Sequence, residues 1–89
     1  MKFTDLEFGP HPDWEGVQAV KFFDNGYGVS VIMTPYSYGG SDGLYEIAVL
    51  QGLEEKWEIC YDTPITDDVM GYLTREDVET VLNQVKELK

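Results

Sequence analysis

The chain has 89 residues, with 17 acidic and 6 basic side chains and a formal net charge of -11 at pH 7. This length predicts a single domain, residues 1–89, with a core large enough to fold alone. Direct binding to nucleic acid is disfavoured, because it needs a basic stripe that displaces phosphate counterions.

No apolar run in the sequence is long enough to span a bilayer, and the first residues lack the basic and apolar regions of a signal peptide. We therefore expect a cytoplasmic protein that does not bind membranes. The single cysteine, Cys60, excludes an internal disulfide.

Asn25-Gly26 lies between two apolar runs and predicts a β-hairpin formed by residues 17–24 and 27–34. Asn-Gly favours a two-residue type I′ turn, which would pair Phe22 with Val29. This register places one apolar set on a common face, expected to lie under a helix: Val20, Phe22, Val29, Val31 and Met33.

The opposite face of the predicted hairpin would carry Ala19, Phe23 and Ile32 among polar neighbours. An open antiparallel sheet with one solvated face should alternate more strictly than this. An exposed apolar set of this kind usually marks an interface. We therefore expect either that the N-terminal segment covers these residues or that they mediate self-association in a homodimer.

Residues 35–43 are rich in glycine and form a predicted loop without the Gly-Lys-Ser/Thr ending of a phosphate-binding loop. The loop carries Tyr36 and Tyr38. Tyrosine offers a large contact area at low rotamer cost and is enriched at binding hot spots. These two residues are candidate anchors for a partner, although packing against the protein's own sheet is an equal alternative.

Two further strands are predicted at residues 44–50 and 56–61, followed by an amphipathic helix that starts at Arg75. Thr74 is a suitable N-cap, with Asp77 at the capping-box position. The apolar helix positions share one face: Val78, Val81, Leu82, Val85 and Leu88. The sequence thus predicts an α+β domain, in which the C-terminal helix packs on one face of a four- or five-stranded antiparallel meander.

The acidic residues include two local clusters. One consists of Glu54, Glu55 and Glu58, and the other of Asp62, Asp67 and Asp68. The simplest interpretation is a soluble, self-repelling surface. A more specific hypothesis is a mimic of the phosphate backbone that occupies a nucleic-acid-binding groove on another protein.

The three aspartates could also be imagined as a site for a hard cation, since such cations bind carboxylate oxygens. Their spacing does not match an EF-hand loop, and we predict no metal and no cofactor. No Ser-His-Asp set or phosphate-binding loop is present, and paired carboxylates are too common in this chain to indicate catalysis. We therefore expect a protein that is not an enzyme.

Three stretches resemble small phage- and prophage-borne proteins without an assigned activity: Asp24–Val31, Gly43–Leu50 and Tyr61–Thr74. The resemblance spans residues 24–88, is most specific in its last stretch and includes no catalytic motif. It implies a protein that acts inside a bacterial cell and inhibits a host enzyme, such as a CRISPR effector.

Two hypotheses of function follow. In the first, the protein is an inhibitor that binds a host defence or nucleic-acid-processing protein, in the manner of an anti-CRISPR. The partner-binding residues would be Tyr36, Tyr38, Glu54, Glu55, Glu58, Asp62, Asp67 and Asp68. In the alternative, it is a structural or accessory homodimeric module whose acidity serves only solubility.

Overall fold

A computed structural model describes residues 1–13, 15–53, 55–59 and 69–88 of the chain. The six strands of the sheet are β1 (Gly9–Pro10), β2 (Val17–Phe22), β3 (Tyr27–Met33), β4 (Tyr45–Leu53), β5 (Lys56–Ile59) and β6 (Met70–Leu73), and the helix α1 is Arg75–Lys86. Short 3-10 turns lie at Phe3–Asp5 and Gly40–Asp42. The predicted α+β class, an antiparallel sheet with a C-terminal helix on one face, is confirmed.

The strand order is β1-β2-β3-β4-β5, and β6 is added beside β5 on the same edge of β4. β5 pairs with the end of β4, from Leu50 onward, whereas β6 pairs with its beginning at Tyr45 and Ile47. The sheet therefore continues past the predicted meander through β6, which the sequence analysis did not predict.

The β2–β3 hairpin forms where it was predicted, but its register differs by one residue. Phe22 pairs with Gly28, not with Val29, and the Phe23 amide donates to the Tyr27 carbonyl at 2.8 Å. Gly26 has a φ of 85°, whereas Asn25 does not have a positive φ, so the turn is not type I′. A three-residue loop that ends on a left-handed glycine gives this register.

The one-residue difference moves the side chains of β2 to the opposite faces. Ala19 is 1% exposed in the core, whereas Val20 is 41% exposed on the other face. The prediction that Val20 and Phe22 lie under the helix is therefore wrong. Val29 and Val31 are fully buried in the core, as predicted.

The core lies between one face of the sheet and α1. Burying a Val or Leu side chain contributes about 1.5–3 kcal/mol, so this layer supplies most of the stabilisation. Phe3 and Phe8 close one end, with ring centroids 5.2 and 5.6 Å from that of Tyr45. The fully buried members of the core are Val29, Val31, Ile47, Val49, Val78, Leu82 and Val85.

The start of α1 follows its sequence signals. The Asp77 amide donates to Thr74 Oγ1 at 3.1 Å, and the Thr74 amide donates to Asp77 Oδ2 at 3.0 Å. These reciprocal bonds form the predicted capping box and satisfy two backbone donors at the start of the helix.

Candidate protein-binding surface

The face of the sheet opposite α1, called the outer face, carries a row of residues that crosses four strands. Phe22 pairs with Gly28, Gly28 with Leu50, and Leu50 with Ile59. The Phe22 ring lies close to Gly28, since a Cβ at this glycine would be 2.7 Å from Phe22 Cδ1. Gly28 thus leaves room for an aromatic ring next to the centre of the outer face.

Leu50 is fully buried although it does not belong to the core cluster under α1. Trp57 follows on the outer face beside it, with its ring centroid 6.4 Å from that of Phe22. Trp57 and Ile59 nonetheless remain 44% and 39% exposed. We call Val20, Phe22, Trp57 and Ile59 the outer patch: an exposed apolar surface supported by a buried leucine.

Exposed tyrosines border the outer face at the beginning of β4. The Tyr38 amide donates to Glu46 Oε1 at 3.0 Å, and the Tyr72 amide donates to the Tyr38 carbonyl at 3.1 Å. Tyr36, Tyr38 and Tyr72 are 75%, 60% and 62% exposed, and we call them the tyrosine cluster. The loop after β3 and strand β6 are therefore joined by a backbone hydrogen bond between two residues whose aromatic rings are exposed.

Tyr72 has a φ of 57°, a left-handed conformation that is unfavourable for a non-glycine residue. It lies where the β4–β6 ladder shifts register between Tyr45 and Ile47, so Gly71 and Tyr72 occupy a bulge. Gly71 is needed there because a Cβ would lie 2.3 Å from Tyr38 Cβ. Bulges next to functional sites redirect side chains, and this one directs the Tyr72 ring to solvent.

The sequence analysis did not single out Tyr72. Its functional signal is the backbone conformation, which depends on the pairing of β6 with β4. The sequence indicates this conformation only weakly, through a glycine immediately before an aromatic residue in a short apolar stretch.

The predicted acidic and aromatic site residues lie at opposite ends of β4. Glu58 pairs with Gln51, and Glu55 is exposed in the turn before β5. Tyr38 is bonded to Glu46, about 16 Å from Gln51 along an extended strand. Glu54, Asp62, Asp67 and Asp68 lie outside the described residues, and so does the predicted cation site that the three aspartates would form.

The residues predicted for self-association do not share an exposed face. Ala19 is buried in the core and Phe23 packs against it, whereas Ile32 follows the alternation of β3 onto the outer face. These three residues therefore do not form the interface that the predicted register would have given them.

The large apolar side chains found exposed in the described residues belong to the outer patch or the tyrosine cluster. None of them is a residue of α1. Trp57, the most distant member of the outer patch, pairs with Gly52, about 20 Å along β4 from Glu46, which Tyr38 bonds. This span fits one interface of about 800 Å² per partner.

The described residues contain no group of three or more His, Cys, Asp or Glu side chains placed to hold a metal ion. Within the same ranges, no helix is long and apolar enough to cross a membrane. Comparison with protein-family models finds no match, and no curated protein or solved structure shows significant similarity to the chain.

Proposed function

We propose that this protein is a non-enzymatic inhibitor that binds a host defence or nucleic-acid-processing protein, with the outer face as its contact surface. The observation that carries the proposal is the gathering of the exposed large apolar side chains on and beside this face. Contiguous exposed apolar residues mark interaction sites more often than scattered ones do.

Residue type supports a protein partner. Trp and Tyr are enriched at binding hot spots, and the outer face offers Trp57 at one end and Tyr38 and Tyr72 at the other. Trp57 pairs with Gly52 on β4, and its ring lies beside that of Phe22. A rigid aromatic side chain loses little conformational entropy when a partner covers it.

Charge supports a basic partner surface. The net charge is -11, and each of the described acidic residues except Glu46 and Glu79 is exposed. These two exceptions serve the fold, because Glu46 accepts from Tyr38 and Glu79 Oε1 accepts from the Phe3 amide at 2.8 Å. The exposed acids would attract a groove that normally binds phosphates and would raise the association rate.

The test is a pull-down from bacterial lysate in which the captured protein is identified and its affinity measured with and without duplex DNA. We expect Trp57→Ala to weaken binding about 30-fold, as hot-spot residues do. Glu55→Lys/Glu58→Lys should weaken it about tenfold at low salt and less at high salt, because rim charges are screened. Duplex DNA should compete with the protein.

A matched charge reversal at the two ends of α1, away from β5 in the fold, serves as the control. Glu76 and Glu87 are exposed at the two ends of α1, so Glu76→Lys/Glu87→Lys changes the net charge equally. If both double variants weaken binding to the same extent, the attraction depends on total charge and not on position. A captured partner that binds DNA and this protein at the same time would contradict the mimicry.

The outer patch also favours a second candidate, a structural or accessory homodimer formed through this face. Apolar residues that surround buried Leu50 would pair well with their own copy across a twofold axis. Net charge opposes this association, and the opposition decreases as salt increases. Sedimentation in low and high salt distinguishes the two candidates, since only the homodimer predicts a doubled mass without any other protein present.

A further inference from the structure

Strand β2 has a free edge along most of its length. β1 pairs only with Val17 and Gln18, at the beginning of β2. One more bond, from the His11 amide to the Gly16 carbonyl at 3.1 Å, lies before β2 begins. The Phe23 amide donates to Tyr27, which fixes the alternation of β2. The N–H and C=O groups of alternate residues therefore point away from β3. For Val20 and Phe22 these groups have no strand opposite them, because β1 does not extend that far.

No backbone group in the described part of the chain pairs with Val20 or Phe22 on this side. If β1 kept its register toward the N-terminus, Glu7 would lie opposite Val20. The chain leaves the edge instead, because Leu6 is buried in the core and Phe8 packs against Tyr45. A gap remains where a neighbouring strand would lie.

Two adjoining cavities of about 310 and 780 Å³ follow this edge and share Asp5, Lys21 and Phe22. The smaller one lies between the N-terminal segment and the strand, and its other lining residues are Leu6, Glu7 and Val20. The larger one continues to the turn and the end of α1 at Lys86. Together they form a groove parallel to unpaired backbone groups, which is the geometry that accepts an extended peptide.

We propose that the free edge of β2 binds an extended segment of a partner protein as an added strand, with basic residues alternating with apolar ones. Its backbone would pair with Val20 and Phe22, and its apolar side chains would extend the outer patch. Asp5 and Glu7 are exposed along the smaller cavity, where Lys21 is the single base, so the groove favours a basic segment.

A second copy of this chain fits the edge less well. Edge-to-edge pairing of two copies would bring the same acids together, and each copy carries a net charge of -11. This site is independent of the proposed inhibitor function, because it is defined by the backbone of β2 and is tested without the inhibited protein.

The probe is the peptide acetyl-Lys-Val-Lys-Val-Lys-amide, and the readout is backbone amide exchange followed by NMR. At a peptide concentration about ten times Kd, exchange of the Val20 and Phe22 amides should slow about tenfold. The Ala19 and Lys21 amides already point toward β3 and should change little. The acidic analogue with Glu in place of Lys should bind at least about tenfold more weakly.

Val20→Pro removes an outward donor that β3 does not use, a change that edge strands tolerate. It should weaken peptide binding about tenfold. Val20→Thr is its matched control, since it keeps the donor and the strand preference, and it should bind like the parent. The proposal would be overturned if protection appeared at other residues instead, or if Val20→Pro bound the peptide as well as the parent does. Protection of Val20 that rises with protein concentration alone would also overturn it, because the edge would then bind a second copy of the chain.

Discussion

The side-chain amide of Asn25, in the turn between β2 and β3, donates a hydrogen bond to the Val85 carbonyl at the end of α1 at 2.8 Å. The same nitrogen lies 3.2 Å from the Lys86 carbonyl and 2.9 Å from that of Leu88. Carbonyl groups at a helix end can accept hydrogen bonds from outside the helix, and the hairpin turn supplies such a donor. The turn residue therefore connects the sheet to the helix.

Asn25→Ala should destabilise the protein by about 1–2 kcal/mol, because these bonds and the one from the Tyr27 amide to Asn25 Oδ1 are lost. Asn25→Asp should cost more, since it keeps the acceptor but places a negative charge beside the negative end of the helix dipole. Urea unfolding measures both. Asp24→Ala changes an exposed neighbour in the same turn and should shift the midpoint little; an Asn25→Asp variant as stable as the parent would contradict the capping role.

This contact explains why the hairpin was predicted but not its register. Asn-Gly indicates a type I′ turn when local preferences decide, but here Asn25 is held by α1, which is 60 residues away in sequence. Tertiary contacts of this kind are not visible in the local pattern. α1 itself was predictable, because Thr74, Asp77 and the spacing of its buried residues all act within the helix.

The candidate site was predictable only in part, for a related reason. Tyr36 and Tyr38, which the sequence left open between exposure and packing on the sheet, are exposed. Trp57 and Ile59 share a face because side chains alternate along β5. Val20 lies on the same face only because the observed register of the β2–β3 hairpin differs by one residue from the predicted one. Tyr72 belongs to the candidate site because β6 pairs with β4 through a bulge. Neither the pairing nor the bulge can be predicted from the four residues of β6 alone.

The two glycines of the hairpin should respond differently to alanine. A Cβ at Gly26 would meet nothing within 4 Å. Gly26→Ala should therefore lower the free energy of unfolding by about 1–2 kcal/mol, the cost of placing alanine in the left-handed conformation. A Cβ at Gly28 would lie 2.6 Å from the Lys21 carbonyl oxygen and 2.7 Å from Phe22 Cδ1. Gly28→Ala should therefore displace the Phe22 ring, and the NMR signals of Trp57 should shift with it.

Unchanged Trp57 signals in Gly28→Ala would contradict the close approach of Phe22 to that glycine. Gly26→Ala is the internal control, because it alters the turn without touching the outer patch.

The capping box of α1 should appear as a coupling between its two members. Thr74→Ala should destabilise the protein by about 1 kcal/mol. The double variant Thr74→Ala/Asp77→Ala should lose less stability than the sum of the losses in the two single variants, because each residue bonds the backbone of the other. Thr80→Ala is the control, since Thr80 Oγ1 donates to the Glu76 carbonyl within the helix and is exposed, so its loss should be close to zero. Full additivity in thermal unfolding would contradict the reciprocal bonds.

Leu50 should behave as a core residue although it lies on the outer face. Leu50→Ala should destabilise the protein by about 2–4 kcal/mol, because a fully buried leucine leaves a cavity. Ile59→Ala, in the same cross-strand row but 39% exposed, should cost clearly less. Equal losses in chemical denaturation would mean that the outer patch does not cover Leu50 in solution.

Tyr72 should show opposite effects of one substitution on stability and on binding. Its φ of 57° costs about 1–2 kcal/mol for a residue with a side chain, whereas glycine adopts this conformation freely. Tyr72→Gly should therefore increase the free energy of unfolding by about 0.5–1 kcal/mol, after the higher entropy of glycine in the unfolded chain is subtracted.

The same variant should bind the partner of the outer face more weakly, since a ring that is 62% exposed in the tyrosine cluster is lost. Tyr72→Ala is the matched control: it removes the ring but keeps the Cβ, so it should lose binding equally without the gain in stability. Unfolding in urea and affinity for the captured partner measure the two effects. A Tyr72→Gly protein that is less stable than Tyr72→Ala would show that the backbone is not strained there, and unchanged affinity in both would remove Tyr72 from the contact surface.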